Sequence, residues 1–528
     1  MKRHDMSRRK FLALAGSAGA YAALGPQAAF AMRGMGMGMG NNAGMNWSNV
    51  IDPPVGEILR NPPDLPNQSQ TPGLVEVSID SKVAPVNLNG MTANLYTYNG
   101  SIPGPTLRVK RGDRLKVNYK NSLPVTNTLN LLGHERDATN LHTHGFHVSP
   151  MGNSDNVMLS FKPGQNFVYE YDLTHQYPGS MCFYHPHVHG TVSEQYFGGQ
   201  SGAILVDDGT DVLAGYPERV LVLKDFAVWN GQSLLHNHMD YMHGKEGPLV
   251  TVNGQINPRN TIRPGEVQRW RIVNASNARF YNLSLEGHQL HLIGTDAGPV
   301  DKPYPINRVL LSPGERIDVL IKASGPGNFR FLSLPYNRGG CGMSGMGMGG
   351  MGGMGGGGMC MGGTGNQMVT LLTMTCEGSA VKADIPPAIN REAKRIDMNI
   401  ATLPRCEMVL SMHMHVGFIN GKTFGPDPFA TNSKLGTFEI WDVYNRSPMD
   451  HPFHYHVNSA QVLAINGGDP EYATLYASIP CMKDTVIVPK FGSIRLLMPV
   501  LHWPGMSMMH CHIIEHEDIG MMGAWNMA

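Results

Sequence analysis

The sequence predicts an all-β chain of three consecutive Greek-key β-sandwich or barrel domains. Three observations carry that prediction. Apolar and polar residues alternate in short runs of strand length, as in Leu107-Arg108-Val109-Lys110 and Leu115-Lys116-Val117-Asn118-Tyr119. Asn-Gly, Pro-Gly and Gly-Asp pairs, which turn a chain, separate these runs. Long helical periodicity is scarce, and the strand rhythm returns at 261–273, at 310–321 and from about Arg405 to the C-terminus. The 63 glycines and 37 prolines suit a chain with many turns.

In chain order, residues 1–31 form a processing segment. Ser7-Arg8-Arg9-Lys10-Phe11-Leu12 is a twin-arginine pattern, an apolar run follows to about Leu24, and Ala29-Phe30-Ala31 is an A-x-A cleavage site. That run is too short and glycine-rich to cross a bilayer, and no later stretch approaches the roughly 18 apolar residues a span needs. The expected product is a monomer without a membrane span, carried by the twin-arginine export machinery to the periplasm. Residues 32–46 form a Gly-Met tract with Met35, Met37, Met39 and Met45, a composition that builds no core.

The first domain is placed at 47–206, ending at the turn-rich Asp207-Asp208-Gly209. The second spans 207–380 and contains a Gly-Met insert at 339–365, with Met343, Met346, Met348, Met351, Met354, Met359 and Met361. Strand-like runs at 328–336 and 367–374 flank the insert, which makes it the long loop of a hairpin. A polar, proline-containing linker at 381–396 leads to the third domain, 397–528.

Only 16 % of residues are charged, the net charge is zero, and there is no long basic run. That excludes a nucleic-acid binder, which must neutralise phosphates. The 35 methionines and 23 histidines supply soft and borderline metal ligands. Seven cysteines do not make a disulfide framework, and any pairing among Cys182, Cys341, Cys360, Cys376, Cys406 and Cys481 cannot be read from spacing.

Four histidine-rich segments carry the chemistry. They are His142-Thr143-His144, His185-Pro186-His187-Val188-His189, His451-Pro452-Phe453-His454-Tyr455-His456 and His510-Cys511-His512-Ile513-Ile514-Glu515-His516. On a strand, the imidazoles of H-x-H leave the same face with Cα atoms ~6–7 Å apart. Such pairs suit two neighbouring ions better than one, so four pairs cradle a compact cluster with eight imidazoles. Cys511 points to the opposite face from His510 and His512. With His451 and His516 it makes a His₂Cys set, and Met521 supplies a long axial thioether, the blue-copper arrangement. The covalent path from thiol to cluster is roughly 12 Å on strand geometry. Structural zinc wants four ligands, and this set offers twelve.

These segments resemble the four copper-binding signatures of the multicopper oxidase family, three-domain bacterial laccase or cuprous oxidase type. Tyr98-Asn99-Gly100-Ser101-Ile102-Pro103-Gly104-Pro105-Thr106 and Val252-Asn253-Gly254-Gln255 resemble its first- and second-domain strand signatures. The resemblance implies cupredoxin-like domains and four copper ions: one type 1, one type 2 and two type 3. It implies His142 and His454 on type 2 copper, with His144, His187 and His512 on one type 3 copper and His189, His456 and His510 on the other. Type 1 copper takes His451, Cys511 and His516, with Met521 axial. His185 is expected to be structural. A cell-division-associated relative with this fold lacks the ligands, so a complete set favours catalysis.

By the same resemblance Glu517 is the proton-relay carboxylate and Asp155 the acidic residue near type 2 copper. Thioether sulfur favours Cu(I). The Met-rich loop therefore reads as a Cu(I)-collecting device, and Met412 and Met414, alternating on a strand, as a substrate-copper pair. His236-Asn237-His238-Met239, with Met242 and His243, reads as a polar loop. The function expected is oxidation of Cu(I) in copper tolerance, with laccase-like phenol oxidation, coupled to reduction of O2 to water. Alternatives are a laccase with phenols or amines as primary donors, or a copper-storage protein.

Overall fold

The computed structural model describes residues 50–528 except 89, 208, 210 and 341–366. The twin-arginine segment, the 32–46 tract and Met343, Met346, Met348, Met351, Met354, Met359 and Met361 lie outside the described residues.

The alternation rule acts as expected in the strand Arg114–Asn121, where Leu115, Val117, Tyr119 and Asn121 are buried and the residues between them face outward. This strand pairs parallel with Leu74–Leu88 and antiparallel with Asn166–Asp172. A second sheet, in the order Gly104–Lys110, Gly202–Asp207, Met181–His185 and His142–His144, shares one apolar core with it. Two further sheets come mainly from residues 218–376 and two from 405–527, six in all among the described residues. The fold is all-β, with cupredoxin-like two-sheet layers. The short strands Val228–Trp229 and Gln232–Ser233 join the first of these sheets, where Gln232 lies beside Asn94.

The expected hairpin around the Met-rich insert is present, since Gly327–Leu334 pairs antiparallel with Met368–Cys376. Alternation fails where a strand has sheet on both sides. Val267–Asn274 is buried at every residue, and its Arg269 is accommodated by Asp318, 2.9 Å away. Trp270, Phe331, Trp441 and Trp525 belong to one large apolar cluster of the middle and C-terminal sheets. A smaller one, with Phe183, Tyr196, Val273 and Ile514, seats the strand ending at His185 against the helix Ile514–Asp518.

Two local expectations are corrected. Residues 238–243 are a short helix, because Asn237 and Asp240 form a capping box at its start. Met412 and Met414 do not share a strand face. The strand ends at His413, Met412 pairs with Gly417, and Met414 sits in a two-residue turn with φ 52°, 66 % exposed. Met412 instead packs partly buried against the core. The five described cysteines are free, so none of Cys182, Cys376, Cys406 and Cys481 is paired.

Candidate metal centre

The strand Gly505–Cys511 places a thiol at its end, and the strand His451–Tyr455 runs alongside, with Phe453 opposite Cys511. Cys511 Sγ lies 3.3 Å from His451 Nδ1 and 3.8 Å from His516 Nδ1, and the two nitrogens are 3.3 Å apart. Ligands held at ~2.0–2.3 Å around one ion would be ~3.5 Å apart, so this triangle is the size of a coordination shell. The outer nitrogens are engaged elsewhere: His451 Nε2 with Ser447 Oγ at 2.7 Å and His516 Nε2 with the Met242 carbonyl at 3.3 Å. Those bonds keep both Nδ1 atoms aimed inward. Met521 is fully buried beside them. Its N–H donates to the His516 carbonyl and its carbonyl accepts from Cys511 N–H.

Burial pushes the Cys511 thiol up, so without a cation it stays protonated. Burial, and secondarily the Arg338 guanidinium, hold His451 down to about 3, leaving a neutral imidazole with a free lone pair.

Behind Cys511 the histidines form the cluster. His510 Nε2 lies 3.2 Å from His187 Nε2 and 3.1 Å from His456 Nε2. The rings of His144, His185 and His512 form a second group, with centroids 5.9, 4.9 and 5.5 Å apart. His142 and His454 complete the set, stacked on His456 at 4.0 Å and His144 at 3.6 Å respectively.

The structure brings His185, rather than the expected His189, to these rings. His185 stands directly across the ladder from His142, and its Nδ1 is satisfied by the Pro186 carbonyl at 2.8 Å, leaving a buried, unpartnered Nε2. His189 lies against Phe424 (4.8 Å) and His134 (5.9 Å) instead. The cause is local: the strand stops at His185, and the chain turns through Gly190, at φ 85°, whose N–H is held by Asp518 Oδ1. H-x-H geometry thus holds for His185 and His187 and has ended by His189.

Carboxylates position the rings. Asp155 takes His142 Nδ1 at 2.9 Å and the Thr143 N–H at 2.8 Å, and burial pushes its carboxyl up to about 7. Asp484 was not expected. It accepts from His144 Nε2 at 3.1 Å and is gripped by both Arg316 nitrogens at 2.6 Å, while its carbonyl holds His454 Nδ1 at 2.9 Å. Burial pushes Asp484 up, but Arg316 and His144 outweigh it and hold the carboxyl well below the usual range. Asp484→Asn would loosen His144, which the carboxylate holds, and leave the backbone bond to His454 in place. An outer-shell loss of this kind lowers metal affinity or activity by roughly 10–100-fold, measurable as copper retained after chelator dialysis.

Glu517 lies between His187 and His510, its oxygens 3.5 and 3.2 Å from their Nδ1 atoms. Burial, then the Asp518 and Glu515 charges, push its carboxyl well above the ordinary value. Glu515, also missed from sequence, binds His236 Nε2 at 2.7 Å, so His236 is a buried partner of that helix rather than part of a polar loop.

Sequence profiles of the multicopper oxidase family match residues 81–211, 216–342 and 398–528. The chain belongs to the multicopper oxidase family. It is 27 % identical over 503 residues to the laccase of Bacillus subtilis, covering 86 % of this chain and 94 % of that one. It is also 26 % identical over 450 residues to the cell division protein FtsP of Xenorhabdus nematophila, covering 83 % and 86 %. Its structure resembles that of a multicopper oxidase from Campylobacter jejuni described as a metallo-oxidase, with TM-score 0.74, 29 % identity and coverage of 90 % and 96 %.

Likeness to both a laccase and a cell division protein leaves the site's chemistry to be argued from its donors. The family implies copper cofactors, and the donor set of this multicopper oxidase fits them. His142 Nε2, His144 Nδ1, His185 Nε2, His454 Nε2 and both nitrogens of His512 are buried without partners, a state that would cost several kcal/mol unless a cation takes the lone pairs. Imidazoles around one thiolate form a borderline-to-soft set. Among the described residues no helix is long and apolar enough to cross a membrane.

Proposed function

We propose that this multicopper oxidase oxidises Cu(I) to Cu(II) in the periplasm as a copper-tolerance enzyme, with phenols as further donors, and reduces O2 to water. The observation that supports it most is the position of Cys511, which faces His451 and His516 while its neighbours His510 and His512 belong to the cluster. Cys511, His451, His516 and Met521 would hold type 1 copper. His187, His456 and His510 would hold one type 3 copper; His144, His185 and His512 the other; His142 and His454 type 2. Bound copper supplies one-electron transfer at the cysteine and four-electron reduction of dioxygen at the histidines. The domains are taken as 47–206, 207–380 and 397–528, after removal of the export signal 1–31.

The chain's own groups supply geometry and protons. Asp155 accepts from His142 Nδ1 and so leaves His142 Nε2 for the metal. Glu517 holds a proton on its carboxyl, with Oε2 3.2 Å from His510 Nδ1, and dioxygen reduction needs four protons. Glu517→Gln removes that store but keeps the shape. Oxygen consumption is expected to fall ~10²–10⁴-fold with the blue absorption unchanged.

The choice of Cu(I) rests on soft ligands outside His516. Met242, whose carbonyl holds His516, lies on the helix His238–His243. Exposed Met239 is on the same helix, and its His238 ring is 5.6 Å from His415 beside exposed Met414. The described chain stops at Gly340, just past Gly339, which bridges to Met449, two residues before His451. Deleting residues 341–361 should lower the Cu(I) oxidation rate and leave phenol oxidation unchanged or raised. If both rates hold, phenols are the primary donors. A storage role would show as no oxygen uptake by the copper-loaded protein with Cu(I), a phenol or Mn(II).

A further inference from the structure

Away from both centres, three imidazoles meet at the surface. His147 is buried, and its Nδ1 donates to the Val457 carbonyl at 2.7 Å, so its Nε2 carries a lone pair. That Nε2 lies 2.8 Å from Nδ1 of exposed His502. The ring of His175, half-buried, stacks on His502 with centroids 3.9 Å apart and planes 8° from parallel. None of the three belongs to the ligand sets above.

We propose that His147, His175 and His502 form a further binding site for a divalent d-block cation, with Cu(II) preferred. Two nitrogen ligands at ~2.0 Å and a right angle on one ion are ~2.8 Å apart, the spacing of the His147–His502 pair. That spacing also serves a hydrogen bond in the metal-free protein, and binding needs only the His502 proton moved to Nε2. The His175 ring, stacked on His502, holds that imidazole's plane beside His147. The backbone of His147 is fixed on both sides, since Gln176 Oε1 accepts its N–H at 2.7 Å and Trp503 Nε1 donates to its carbonyl at 2.9 Å. His502 has φ 68°, a conformation glycine or asparagine adopts with less strain, so an imidazole there carries a conformational cost. Asp172 lies near His175 and favours a cation, while Arg111 near His502 opposes one. Among divalent ions, Cu(II) binds imidazole sets most tightly.

The test uses the copper-loaded full-length enzyme, dialysed free of loose metal and titrated with Cu(II) alone by equilibrium dialysis with metal analysis and electron paramagnetic resonance. Wild type is expected to take up one further equivalent. The double variant His175→Ala/His502→Gly should bind it at least tenfold more weakly, with blue absorption and donor oxidation unchanged. Glycine relieves the positive φ, and the unchanged blue absorption reports an intact fold. Should the double variant not fold, His175→Ala alone gives the same comparison. Wild type without the further equivalent, or a variant with undiminished affinity, overturns the proposal: the three rings would then be a structural clasp between their loops.

Discussion

Cys511→Ser is expected to abolish donor oxidation, on the order of 10³-fold or more, and to remove the blue absorption entirely. Cys511 is fully buried, and its sulfur is the one soft anion facing His451 and His516 among the described residues. A serine hydroxyl there is hard, stays protonated, and has no thiolate charge to offer copper. The fold should survive, because serine nearly preserves the shape and still accepts the Ile513 N–H that now reaches Sγ at 3.4 Å. Copper bound by the histidine cluster should be retained. Absorption spectroscopy, metal analysis and oxygen uptake on one preparation check all three outcomes.

The second large effect separates two neighbouring histidines. His185→Ala should lower oxygen consumption by roughly two orders of magnitude or more and reduce the cluster's copper, while the cysteine centre stays blue. His189→Ala should leave oxygen consumption within about threefold of wild type. Its ring packs on Phe424, so truncation costs packing, about 1–2 kcal/mol seen as a lower Tm. The resemblance alone predicts the reverse order, with His189 essential and His185 dispensable. Activity and copper content of the two variants decide between them.

That pair also shows what the sequence could and could not convey. The strands were legible because alternation and turn dipeptides act locally, as in Arg114–Asn121 and in the hairpin around the insert. The clustering of the four histidine segments was legible because H-x-H periodicity needs only a strand. Which two of His185, His187 and His189 share a face depended on where that strand stops. A cue existed: His185 ends the apolar run from Met181 and precedes Pro186, whereas His189 is followed by Gly190, a turn residue. Met414 failed for the same reason, since the strand ended one residue earlier and a turn took the sulfur outward.

Asp484 left no local signal. It lies 340 residues from His144 in sequence, and its role depends on Arg316, brought to it by a strand of the middle sheets. Glu515 and His236 likewise meet across 279 residues. Long-range polar contacts of this kind follow from packing rather than from periodicity.

In the proposed function, one thiol and its two flanking imidazoles join a cysteine centre to a histidine cluster that includes His185. An anomalous-scattering map of the copper-loaded protein at the copper edge tests it most directly. One peak is expected bounded by Cys511, His451 and His516, and a separate group of peaks among the histidines with His185 Nε2 within bonding distance of one of them. No peak at Cys511, or a cluster bonded to His189 and not to His185, would contradict it.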